Sequence, residues 1–79
     1  MIKVLCCGPS QQWFGQTELE LELGGTATVA QLLAALAAQH PEFAAHQHSV
    51  AVAADNQLLR KDSVIFQSQV ALIPPVSGG

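Results

Sequence analysis

The stretch from Thr28 to Leu36 restricts the fold of this chain more than any other. Val29, Leu32, Leu33 and Leu36 fall at i, i+3, i+4 and i+7, which is one apolar stripe of an amphipathic helix. Thr28 and Gln31 have the spacing of a capping box. The threonine hydroxyl accepts from the Gln31 amide while the glutamine side chain reaches back to the Thr28 N–H. Five alanines between positions 30 and 38 add helix propensity. Pro41 stops the helix, because the residue before a proline avoids the helical region. A helix this apolar on one side cannot stand alone, so the rest of the chain must supply a surface to cover it.

Short strands supply that surface. Leu19, Leu21 and Leu23 alternate with Glu18, Glu20 and Glu22, so one face is buried and the other is wet. Ile2 to Cys7 reads as a buried strand, broken by Gly8-Pro9-Ser10. Trp13-Phe14-Gly15 closes a loop that packs back on the core. Val50 to Ala53, Leu58-Leu59 and Val70 to Ile73 are further strands, with a turn at Asp55-Asn56 and a loop from His46 to Ser49. A turn of helix is expected around Asp62 to Ile65. With one helix laid across these strands the chain is α+β, a two-layer sandwich. The first and last strands as neighbours would make the sheet mixed. Residues 1–79 read as a single domain, and a chain this short supports one small core.

Composition then excludes several functions. Only Lys3, Arg60 and Lys61 are basic and the net charge is −3, which argues against nucleic acid or an anionic membrane as a partner. The longest apolar run falls well short of the ~18 residues that cross a bilayer. The start carries no basic segment followed by a long apolar one, so no signal peptide is expected. Cys6 and Cys7 are adjacent, and neighbouring Cα atoms ~3.8 Å apart lie below the disulfide range. No internal disulfide is expected, which fits a reducing, cytoplasmic setting. Hydrophobic residues make up 49% and charged residues 11%, so some apolar surface must lie outside and serve for docking.

The sequence ends Pro74-Pro75-Val76-Ser77-Gly78-Gly79. Two prolines remove two backbone donors and end any ladder, pushing residues 74–79 outward as a tail. Two glycines without Cβ atoms can thread a channel too narrow for side chains. A terminal carboxylate there, with pKa ~3.3–3.7, is an anion at neutral pH and a poor electrophile until it is activated.

Met1-Ile2-Lys3-Val4-Leu5, the capped helix at Thr28 and the ending from Val70 through Pro74-Pro75-Val76-Ser77-Gly78-Gly79 together resemble the small subunit of molybdopterin synthase. The resemblance covers the whole chain and implies a ubiquitin-like β-grasp fold with four to five strands and a flexible Gly-Gly tail. It implies a sulfur carrier without catalytic residues or a bound cofactor of its own. An ATP-dependent adenylating enzyme would activate Gly79, and a sulfurtransferase or persulfide donor would convert it to a thiocarboxylate. Pro75, Val76, Ser77 and Gly78 would thread the active site of the large synthase subunit, where the sulfur passes to cyclic pyranopterin monophosphate. The assembly would be a heterotetramer of two small and two large subunits. Sulfur carriage to thiamine or another thiolated product, and attachment of Gly79 to lysines as a protein modifier, remain open beside this reading, as does a pure interaction domain.

Alternation places Cys6 with Ile2 and Val4 in the core and Cys7 with Leu5 on the opposite face. A docking patch of Leu5, Cys7, Leu59, Ala71 and Ile73 is expected there. His46 and His48 could share one face of an extended segment, but no third ligand accompanies them and zinc sites usually need three or four. Glu18, Glu20 and Glu22 read as a solvated face. No phosphate-binding or dinucleotide fingerprint is present.

Overall fold

The computed structural model describes residues 1–8, 10–23 and 26–74. Its sheet is built from β1 (Ile2–Cys6), β2 (Glu18–Leu21), β3 (Ala51–Ala54), β4 (Gln57–Leu59) and β5 (Gln69–Ile73). The spatial order is β2-β1-β5-β3-β4. β1 and β5 run parallel at the centre, and every other pairing is antiparallel. The sheet is therefore mixed, as expected. With the long helix α2 (Val29–Gln39) burying its stripe against the sheet, this is the ubiquitin-like β-grasp architecture.

The capping box at the start of α2 forms as the sequence requires. Thr28 Oγ1 accepts from the Gln31 amide at 3.2 Å, and the Gln31 side chain accepts from the Thr28 N–H at 2.8 Å. The two helical N–H groups that this box leaves over are taken by the segment before β5. Val29 N–H donates to the Ser63 carbonyl at 3.0 Å and Ala30 N–H to the Lys61 carbonyl at 2.9 Å. This corrects the helical turn expected around Asp62 to Ile65. Those carbonyls satisfy the open end of α2, so the segment is a turn at Lys61-Asp62 followed by a bridge from Val64 to Thr28.

Two short helices join the core, one where the sequence reads as loop and one directly after the stop at Pro41. α1 (Ser10–Phe14) begins on Ser10, whose hydroxyl donates to the Cys7 carbonyl at 2.6 Å while the residue is wholly buried. It ends at Gly15, at φ +71°, a left-handed conformation that glycine adopts without steric cost. α3 (Pro41–Ala44) starts on the same proline that ends α2, since a proline at the first helical position loses no hydrogen bond. α3 carries Phe43, which is fully buried. Its ring meets Phe14 at 5.2 Å and Trp13 at 5.9 Å between centroids, tying α1 to α3. Asp55 and Asn56 both take positive φ, 53° and 65°, the geometry of a two-residue hairpin turn.

Candidate functional site

The sheet has two unlike faces. Val4, Val52, Val70 and Leu72 point to the helices and are buried. On the other face a row crosses all five strands through direct register partners: Glu18, Leu5, Ala71, Ala53 and Leu58. Ile73 and Ala51 form the next row toward the end of β5. The small side chains of Ala53 and Ala71 leave a depression of about 450 Å³ in the middle, bordered by Gln67, Gln69 and the Asp55-Asn56 turn. Leu58 is 68% exposed and Ile73 37%. Large apolar side chains exposed on the same face as a shallow depression suit a docking surface.

Four residues of the expected patch lie where alternation puts them. Leu5 and Ala71 are register partners, Ile73 follows on the same face, and Cys7 is exposed just past the end of β1. Leu59 does not belong with them. It stands opposite Val52 and packs against the core, and Leu58 takes its place on the outer face. The signal for this was in the turn: a two-residue hairpin at Asp55-Asn56 pairs Ala54 with Gln57, Ala53 with Leu58 and Val52 with Leu59. Direct partners share a face, so a core-facing Val52 turns Leu59 inward. Ala53 on β3 was missed for the same reason.

β1 and β5 run side by side in the same direction, with Cys6 opposite Leu72. Their ends therefore meet at one pole of the sheet, where Ile73 gives way to Pro74. Gly79 and the threading residues Pro75, Val76, Ser77 and Gly78 lie outside the described residues. Both cysteines are free, Cys6 buried and Cys7 exposed. Burial pushes the Cys6 thiol above its ordinary pKa, and the neighbouring Cys7 pushes it further in the same direction. Cys6 is thus held as the protonated, poorly nucleophilic thiol.

Among the described residues no group of three His, Cys, Asp or Glu side chains could hold a metal ion. His46 is not simply a solvated loop residue: its ring stacks on Trp13 at 4.3 Å between centroids, with 11° between planes. His48 is exposed, and so are Glu18, Glu20 and Glu22. Among the described residues no helix is long and apolar enough to cross a membrane.

The profile of the ThiS family matches residues 4–79. The molybdopterin synthase sulfur carrier subunit of Chlamydomonas reinhardtii is 35% identical, over 99% of this chain and 98% of that protein. Among solved structures, a candidate molybdopterin converting factor subunit 1 from Pyrococcus furiosus superposes with a TM-score of 0.82 at 24% identity. The small archaeal modifier protein 1 of Haloferax volcanii superposes with 0.78 at 19%. Each of these two alignments covers 95% of this chain and 97% of the other. At such identities the structures speak for the fold alone.

Proposed function

This chain belongs to the ThiS family, and on that footing we propose that it is the sulfur carrier subunit of a molybdopterin synthase. The observation that carries the reading is the 35% identity with the Chlamydomonas carrier along 99% of this chain. It is supported by a family match that runs through the terminal Gly78-Gly79.

Gly79 is the working group. An adenylating enzyme joins its carboxylate to AMP from ATP, releasing pyrophosphate and turning a poor electrophile into a mixed anhydride. The terminal sulfur of a persulfide then displaces AMP, and a thiol cleaves the resulting S–S bond to leave a thiocarboxylate. The tail carries that sulfur into the large synthase subunit for transfer to cyclic pyranopterin monophosphate in molybdenum cofactor biosynthesis. The outer sheet face around Leu5, Ala71, Ile73 and Leu58 docks on the partner. Its Ile73 end lies at the pole where β5 stops.

Mass spectrometry of the terminal peptide tests this. Protein isolated with its activating enzyme and sulfur donor should carry sulfur in place of one Gly79 oxygen, and Cys7→Ser should load equally well. Sulfur found on Cys7, or isopeptide-linked Gly79 on target lysines, would reject the carrier reading.

A further inference from the structure

The open edge of the sheet carries features that sulfur transfer does not use. Among the described residues β2 is the last strand on its side, paired only to β1. The Cys6 N–H donates to the Thr17 carbonyl at 2.8 Å, and antiparallel ladders alternate bonded and non-bonded pairs. Inward from Cys6 and Thr17, the bonded pairs are Val4 with Leu19 and Ile2 with Leu21. The pairs between them, Leu5 with Glu18 and Lys3 with Glu20, are the non-bonded ones. The backbone N–H and C=O groups of Glu18 and Glu20 are therefore directed outward, to the open edge. Their carboxylates lie on the outer face and are exposed, while Leu19 and Leu21 turn into the core.

On its inner side the edge is not filled to the rim. A depression of about 420 Å³ runs between β2 and the end of α2, lined by Gln16, Glu18, Leu19, Glu20, Gln39 and His40.

We propose that this edge takes an extended peptide with basic residues at alternate positions, added alongside β2 as a sixth strand. Residues placed opposite Glu18 and Glu20 would bond to the two outward-facing backbone units. As direct cross-strand neighbours they would hold their side chains on the same face as the glutamates. A lysine or arginine at each position meets a carboxylate. The residue between them points into the depression beside Leu19, Gln39 and His40, which suits a small or medium polar side chain. Net charge of −3 draws a cationic segment toward this edge from a distance. Charged residues on sheet edges commonly deter strand pairing. Here they deter selectively: a second copy of the chain would set its own glutamates against Glu18 and Glu20, whereas a basic strand neutralises them. Gly79 plays no part, so the proposal stands apart from the carrier reading.

The test is a titration of the ¹⁵N-labelled full chain with a blocked peptide in which Lys-Thr-Lys is flanked by threonines. At saturation the Glu18 and Glu20 amides should shift and exchange with solvent roughly tenfold more slowly, as amides drawn into a ladder do. The double variant Glu18→Lys/Glu20→Lys should bind at least about tenfold more weakly, and added salt should weaken binding to the parent chain. A peptide N-methylated at both lysines keeps its charge but cannot donate to the edge, and it should not bind; if the double variant fails to fold, this control decides alone. Equal binding of the N-methylated peptide, no binding of the parent peptide, or shifts confined to the outer face around Ala71 would overturn the proposal. So would slow exchange at Glu18 and Glu20 that depends on protein concentration without peptide, which would assign the edge to a second copy.

Discussion

Phe43 joins three elements through one ring. It is fully buried and meets Trp13 and Phe14 of α1, while its own helix packs on the end of α2. Phe43→Ala should lower stability by about 3–5 kcal/mol, read as a shift of the urea midpoint. A loss below about 1 kcal/mol would mean that the aromatic cluster is peripheral. Cys6 matters differently. Its pKa is raised above the ordinary value of 9.0, first by burial and then by Cys7, so folding favours the neutral thiol. The stability it contributes is fully present below that value and is lost as pH rises past it, because the unfolded chain then ionises more readily than the folded one. Cys6→Ala should therefore cost about 1 kcal/mol near neutrality, and the gap to the parent protein should narrow above pH ~9. A gap constant from neutral to alkaline pH would show that Cys6 titrates alike in both states.

At the scale of elements, what local sequence dictates was legible and what tertiary contacts dictate was not. The stripe of α2 recurs over about two turns behind its capping box, and the Glu/Leu alternation of β2 repeats with period two. Each signal repeats within one segment. α1 and α3 have five and four residues, too few for any period to show. They are held instead by Ser10 on Cys7 and by Phe43 among its aromatic neighbours. A helical turn is expected around residues 62–65, yet the carbonyls of Lys61 and Ser63 serve the start of α2. β3, expected at Val50 to Ala53 and formed by Ala51–Ala54, is a poor strand former that β5 and β4 hold extended from both sides. The same reasoning separates two adjacent leucines. Leu59 packs against the core while Leu58 is exposed. Leu59→Ala should cost about 1–2 kcal/mol, below the figure for a fully buried leucine, and Leu58→Ala less than about 0.5 kcal/mol. Thermal melts of the two variants check the assignment, and a reversed order would mean that β4 pairs one residue out of register.

The whole molecule keeps its stability and its proposed chemistry in different parts of the chain. Among the described residues the buried cluster runs from Ile2 to Leu72, and the last ladder residue is Ile73. Pro74 has no N–H with which to extend that ladder. The parallel pairing of β1 with β5 brings the ends of both strands to one pole of the sheet, and under the proposed function docking and delivery are separable too. Deleting Gly78 and Gly79 should leave the urea midpoint within the equivalent of about 0.5 kcal/mol, as for other changes away from packed contacts. The same deletion should abolish sulfuration of the pterin precursor while binding to the large subunit through the face persists. Leu58→Glu should do the reverse. It places a charge on the apolar margin and weakens binding, since truncating or charging an interface anchor typically costs more than ~1 kcal/mol, yet Gly79 should still be sulfurated at saturating partner concentrations. Sulfur transfer surviving in the tail deletion would move the chemistry away from Gly79. Unchanged binding by Leu58→Glu would move the docking surface off this margin of the sheet, and only that half of the reading would fall.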